Sequence, residues 1–350
     1  MSFFSKCLSR SMVFALSCFL ATAQANENPN LADQKNAVIN RDPAIQGQCS
    51  RFDKFNFPAS DKPSVAQEKG LKNCEAERFY YGIETKIDYV KARYCAYSTQ
   101  SQEKSPNYGV LMMLYANGQG IARNYKIAKK AACDTDAAVM ETVGRMQHLA
   151  NMESGKEGAN PKIDICDDIT SGFMQGYCAK IQSGLADQTR AQQFASLTSN
   201  WNIKERAAFQ KLKKQAEAFI TARSELEVDL SGTARSAEVL EEAETQKEDL
   251  LKSLQDFEAG NLPAFSNDGY TKLDRELNRV YLQLKQTKDP EFDTVKMKDI
   301  QRTQQAWLAY RDDWVRFGST KYPSVPAYAW KAYFTKKRIG MLKELLSYRE

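Results

Sequence analysis

Three carboxylates stand within five residues at Asp164, Asp167 and Asp168. That density could hold a hard cation or run acid–base chemistry. EF-hand spacing is absent, however, and no second acidic cluster lies nearby in sequence. The run is therefore expected at a helix start, where Asp side chains cap free N–H groups and complement the helix dipole. His148 is the one histidine of the 350-residue chain. A zinc site of the HExxH kind needs two histidines a helical turn apart, so none can be built. A triad with a histidine base would have His148 alone to call on, and Met146-Gln147-His148-Leu149 reads as an ordinary helical stretch. G-x-S-x-G, a Walker loop and G-x-G-x-x-G are also missing from the sequence. These residues point to binding before chemistry, with no enzyme activity and no cofactor expected.

Cysteine is the other reactive type. Lys6 and Arg10 precede an apolar run from Met12 to Ala23 that ends in Ala23-Gln24-Ala25. A basic region, a short apolar core and an A-x-A site make residues 1–25 a signal peptide cut after Ala25. The run is too short for a hydrocarbon core of roughly 30 Å, and no later stretch approaches that length. The mature chain is thus expected to lack a transmembrane segment. Cys18 offers a lipoprotein alternative, although Ala15-Leu16-Ser17 is a poor lipobox. Cleavage leaves 47 basic and 44 acidic residues, net +3, a near-balance without a nucleic-acid footprint. It also leaves six cysteines, Cys49, Cys74, Cys95, Cys133, Cys166 and Cys178. An even count in an exported chain predicts three disulfides, formed in the periplasm or outside the cell. Six cysteines pair in fifteen ways, and the sequence does not choose among them.

Helices must position all of this. Residues 26–70 form a polar leader tied down near Cys49, followed by a cysteine-rich helical region at 71–200. Within it, Leu111-Met112-Met113-Leu114-Tyr115-Ala116 leads through Gly118-Gln119-Gly120 into Tyr125-Lys126-Ile127-Ala128-Lys129-Lys130-Ala131-Ala132. The pattern is a helix, a turn open to positive φ, and a second helix whose small residues allow close packing. Tyr89 and Ala92 echo Tyr125 and Ala128 at a spacing of 36, a helical-hairpin repeat period. This stretch resembles the Sel-one-like branch of the tetratricopeptide superfamily, with Asn124 where that family usually has Asp. The resemblance implies stacked hairpins with a protein-binding or scaffolding role. Two units fall short of the roughly three such arrays need, so disulfides are expected to supply the rest.

Residues 201–350 lack cysteine. Phe209, Leu212, Ala216, Phe219 and Ile220 form one apolar stripe, and Leu240, Ala243, Leu250, Leu254 and Phe257 a second. Gly260-Asn261-Leu262-Pro263 stops the second helix. A third carries Leu273, Leu277, Val280, Tyr281 and Leu284, stopping near Asp289-Pro290. Ile300, Thr303, Trp307, Tyr310, Trp314 and Phe317 alternate spacings of three and four, an aromatic seam on a fourth helix. A basic helix closes the chain. The expected fold is all-α: disulfide-stabilised helical-hairpin repeats followed by a cysteine-free helical bundle.

Two polar clusters lie on these helices, Asp274-Arg275-Glu276-Leu277-Asn278-Arg279-Val280-Tyr281 and Gln304-Gln305-Ala306-Trp307-Leu308-Ala309-Tyr310-Arg311-Asp312. Helical spacing puts Asp274, Asn278 and Tyr281 on one face and Gln304, Trp307 and Arg311 on another. Facing helices could then share a network of Asn278, Tyr281, Gln304 and Arg311 around Trp307. The pair D-x-E-L-N-x-x-Y and Q-x-A-W-x-x-Y-R-D resembles the LprI-type lysozyme inhibitor family over residues 265–346, ending with Arg338 and Leu342. The resemblance implies a small helical domain that binds and inhibits lysozyme. Many members carry cysteines after the R-D pair, where this chain has Asp313, Trp314 and Val315, so aromatic packing must replace those bonds. Asp274, Asn278, Tyr281, Gln304, Trp307, Tyr310, Arg311 and Asp312 are the candidate binding residues, with a structural role as the alternative. A gapless shift of 88 residues aligns Leu212 with Ile300, Phe219 with Trp307 and Arg223 with Arg311. Residues 205–258 thus read as a degenerate copy of 293–346.

Residues 225–258 hold 11 acidic and three basic side chains, while 316–343 hold seven basic and none acidic. Both read first as solvated helix faces. As partner surfaces, the acidic hairpin suits a basic lysozyme, and the basic helix an anionic envelope polymer or lipid. The expected function is an exported bacterial envelope protein that inhibits lysozyme by binding. Its alternatives are a periplasmic scaffold for another envelope protein and, third, a peptidoglycan-cleaving enzyme built on Asp or Glu pairs.

Overall fold

A computed structural model describes residues 43–98, 106–288 and 294–348. The signal peptide at 1–25, the start of the polar leader and the Asp289-Pro290 stop lie outside those residues. Everything regular among the described residues is helical, in keeping with the all-α expectation. The first helix among the described residues, α1 (Pro43–Cys49), ends on buried Cys49, which is bonded to Cys133.

Two hairpins follow, α2 (Ala76–Tyr81) with α3 (Tyr89–Tyr97), and α4 (Tyr108–Asn117) with α5 (Tyr125–Asp134). Each first helix ends on a left-handed glycine, Gly82 at φ 77° and Gly118 at φ 67°. Each second helix is capped by a side chain, Asp88 or Asn124, that accepts backbone N–H groups. In both turns the capping residue's own N–H donates back to the preceding helix at 2.9 Å, Asp88 to Phe79 and Asn124 to Tyr115. All three features recur 36 residues apart, so the hairpins repeat each other in backbone geometry as well as in Tyr89/Tyr125 and Ala92/Ala128. Gly120 is where they meet. It sits at φ 66°, and a Cβ there would lie 2.7 Å from Tyr89 Cβ, so a side chain would push the hairpins apart.

Helix α4 is apolar on every side, and Val110 through Ala116 are buried all round, as such a helix must be. Around it gather α3, α5, Phe57 and Ile165. Cys74–Cys95 closes the first hairpin, Cys49–Cys133 ties α1 to α5, and Cys166–Cys178 ties the loop after α6 (Val139–Glu153) to α7 (Gly172–Leu197). The six cysteines thus form the three expected disulfides.

The acidic run at Asp164 does not start a helix, and this corrects the sequence reading. It forms a tight turn in which Asp167 accepts from the Asp164 N–H, while Asp164 accepts from the Cys166 N–H and the Tyr81 hydroxyl. Asp168 faces His148 on α6 at 3.1 Å. Helix α7 begins four residues later with Ser171 as its cap, and the Thr170 and Ser171 N–H groups are taken by buried Glu141. The donors that the aspartates were expected to cap are already satisfied.

Helix α7 joins two hydrophobic cores. Met174, Cys178 and Ile181 belong to the first, whereas Phe194 and Leu197 pack on the second. The second core is enclosed by α8 (Ile203–Leu226), α9 (Arg235–Glu258), α10 (Asn267–Gln286), α11 (Met297–Lys321) and α12 (Ala327–Ser347). Helix α8 lies along α11, α7 along α9, and α10 along α12. The seam from Ile300 to Phe317 is buried throughout, as its spacing predicts. Trp314 stacks on Phe334 with ring centroids 4.7 Å apart and runs parallel to Trp330. A Cβ on Gly318 would lie 2.3 Å from the Trp330 ring, so this glycine lets α11 and α12 close on the indole. Aromatic packing of this kind stands where related sequences were expected to carry disulfides.

The oppositely charged segments are not simply solvated faces. Asp249 on α9 meets Lys337 on α12 at 2.6 Å, and Glu227 after α8 meets Arg338 on α12 at 2.6 Å. Part of the charge asymmetry is spent joining the acidic hairpin to the basic helix.

Candidate partner-binding groove

Helices α10 and α11 leave an open groove of about 300 Å³ between them. Residues at i, i+4 and i+7 share a helix face, so α10 presents Asp274, Asn278 and Tyr281 over Leu277, and α11 presents Gln301, Gln304, Gln305, Leu308 and Arg311. Five of the eight candidate binding residues therefore line one surface. Trp307 and Tyr310 do not. Both are buried in the second core, where Tyr310 stacks on Phe219 of α8 at 5.2 Å. Asp312 sits beside the groove and accepts from Arg311 at 3.0 Å.

The expected shared network is divided. Asn278 donates along its own helix to the Asp274 carbonyl at 2.9 Å. Gln304 instead accepts from Arg338 Nε at 2.9 Å. Arg311 lies over the Trp307 ring at 5.1 Å, which anchors its guanidinium at one end of the groove. The hydrogen bonds thus run within helices and downward to α12.

Beneath the groove is an ion cluster that sequence reasoning noticed only in parts. Arg338, fully buried, makes a bidentate pair with Glu227 at 2.6 and 2.8 Å. Glu227 also accepts from Arg223 at 3.0 Å, and Arg223 Nε donates to Glu242 at 3.0 Å. Removing one partner of a buried pair costs about 3–5 kcal/mol, because the remaining charge stays desolvated. The cluster fixes α8, α9 and α12 to one another and, through Gln304, sets the groove floor. In the sequence Arg223 stands in the 88-residue alignment with Arg311, and Arg338 in the resemblance over 265–346, but nothing local marks Glu227.

Burial raises the Tyr281 phenol above its ordinary pKa, while the Arg338 charge acts in the opposite direction. Its hydroxyl is therefore protonated at neutral pH. Glu276 on the outer face of α10 is held down to about 2 by hydrogen bonds from Arg279 and then Lys343, which pins α10 to α12. The groove thus offers amide and phenol groups that both donate and accept, with the Asp274 carboxylate and the Arg311 guanidinium at the same end, where both act on Tyr270. That is the chemistry of recognising peptide groups and polar side chains. Among the described residues no group of three or more His, Cys, Asp and Glu side chains is arranged to hold a metal ion.

Fold and groove define a protein that is helical among its described residues, anchored by disulfides, with an open polar groove on its C-terminal half. The family model described as Lysozyme inhibitor LprI matches residues 258–342, from the end of α9 to Leu342 on α12. That stretch contains the whole groove. Neither the curated proteins nor the solved structures gave a match. The family is one of inhibitors, and together with three disulfides it points to an extracytoplasmic protein. No helix among the described residues is long and apolar enough to cross a membrane.

Proposed function

We propose that this chain is an exported bacterial envelope protein that inhibits lysozyme by docking on it through the α10–α11 groove, without chemistry of its own. One observation carries the reading: the stretch similar to the LprI family coincides with the open groove, and the motif residues Asp274, Asn278, Tyr281, Gln304 and Arg311 line it. Residues 1–25 act as the signal peptide, and the disulfides then form outside the cytoplasm. Trp307 and Tyr310 hold the fold, while Asn278, Gln301 and Gln305 are exposed and free to meet a partner. The test is a cell-wall lysis assay with purified residues 26–350. Lysis should slow as the chain is titrated against lysozyme; unchanged lysis at micromolar excess would sink the proposal.

A second role, as a scaffold, is favoured by the two hairpins that repeat at 36 residues. In that reading Sel-one-like units at 71–200 hold another envelope protein. Cross-linking of the full chain in envelope extracts should then trap a protein at residues 76–134; cross-links confined to the C-terminal half would exclude it.

A further inference from the structure

Helices α7 to α9 and α10 to α12 are arranged alike. In each triplet the first helix lies along the third and the second packs beside the third, and the two second helices, α8 and α11, lie against each other. The likeness extends to a second cleft, of about 340 Å³, between α7 and α8 with α9 as its back wall. On α8 it is lined by Lys213, Ala216, Glu217 and Ile220, each 88 residues before Gln301, Gln304, Gln305 and Leu308 of the first groove. On α7 it is lined by Asp187, Ala191 and Phe194, each 87 residues before Asp274, Asn278 and Tyr281. The one-residue difference falls in the connection between the two helices. Seven equivalent positions facing equivalent clefts are not expected of helices that merely share apolar stripes.

We infer that α7–α9 is a diverged copy of the triplet at α10–α12, and that its cleft is a second docking site, taking a cationic loop of a basic protein. This rests on the proposed lysozyme reading and extends it from one docking surface to two. The occupant follows from the chemistry that diverged. Where the first groove has Asn278 and Gln304, the second has Ala191 and Ala216, and with Ile220 in the place of Leu308 it gains a small apolar lining whose buried part is Ala216 and Ile220. Such a lining suits the alkyl stem of a lysine or arginine. Asp187 and Glu217 stand exposed at the edge, joined by Glu244 and Glu248 of the acidic α9. The cations nearby are already engaged. Arg190 is paired with Asp187, Glu244 and Glu248, Lys247 with Asp187 and Glu244, and Lys213 lies over the Phe194 ring at 5.6 Å. Asp187, Glu244 and Glu248 take part in those same pairs, so four carboxylates against three cations leave a surplus of one, with Glu217 on the exposed edge, whereas α12, behind the first groove, is basic.

Isothermal titration of residues 26–350 with a basic animal-type lysozyme tests this. Two lysozymes should bind per chain, one of them with the steeper salt dependence. Ala191→Arg, at an exposed position, should remove that salt-sensitive site, and Glu217→Lys should weaken it at least about tenfold. Asn278→Arg should remove the other, and unchanged melting curves would show that all three variants fold. If Ala191→Arg and Glu217→Lys both leave binding untouched while Asn278→Arg abolishes it, the second site is refuted and the first stands. Binding abolished by Ala191→Arg but kept in Asn278→Arg upholds the second site and refutes the first. No binding by the unaltered chain refutes both.

Discussion

The two cores of this protein solve one problem by different means. The first, around α4, is built from short helices of six to fifteen residues together with the first half of the long α7, and held by three disulfides. The second is built from helices of 20 to 25 residues and held by packed indoles and a buried Arg–Glu cluster, without a disulfide. Short helices bury little apolar surface each, so their assembly gains most from restricting the unfolded chain. Long amphipathic helices bury enough to hold themselves, which leaves a surface strip such as the α10–α11 groove open and polar. All four tryptophans, Trp201, Trp307, Trp314 and Trp330, lie in the second core, so their fluorescence reports on it alone.

That contrast can be broken from either side. The largest effect is expected on reduction. The Cys49–Cys133 bond spans 84 residues, and a loop of that size is worth about 4.5 kcal/mol of chain entropy. Dithiothreitol should therefore unfold the first core, seen as lost helical circular dichroism, while tryptophan emission stays native. Arg338→Met comes next, with about 3–5 kcal/mol lost because Glu227 keeps its charge in a dry site. Here urea denaturation followed by tryptophan emission should shift, and protease resistance of the first core should not. Gly318→Ala drives a methyl into Trp330 and should cost about 1–3 kcal/mol in the same assay.

A smaller effect is expected from pH. Burial alone would raise the Glu141 pKa, but hydrogen bonds from Thr170, Ser171 and Ala138 outweigh it and lower it. The folded pKa is below the unfolded one, so Glu141 contributes stability above about pH 4–5 that is lost as pH falls through its folded pKa. Glu141→Gln should flatten the acid limb of the first core's melting profile. At the other extreme, burial pushes Tyr97 up to about 12, so the same core should weaken above about pH 10, where the unfolded phenol ionises first.

Periodicity made much of this legible. The seam from Ile300 to Phe317, the glycine turn at Gly118 and the pairing of six cysteines into three bonds all follow from residue type and spacing. Partner choice does not. The pairing of Cys49 with Cys133, or of Glu227 with Arg338, depends on how helices stack across 84 or 111 residues. The same limit separated the site residues. Trp307 and Arg311 lie one turn apart on α11, and spacing alone could not tell which would enter the core. Asp164 starts no helix for a related reason: α7 begins at Gly172 under its own cap Ser171, and the Thr170 and Ser171 N–H groups before it are taken by Glu141 of α6, 29 and 30 residues away in sequence.

The central claim is that recognition belongs to the second core and to the α10–α11 groove. Hydrogen-exchange mass spectrometry on the oxidised full-length mature chain, with and without a basic lysozyme, tests it most directly. Exchange should slow at residues 274–281 and 301–311 when lysozyme is added, with the hairpins at 76–134 unchanged. Protection confined to those hairpins, or no protection anywhere, would contradict the account.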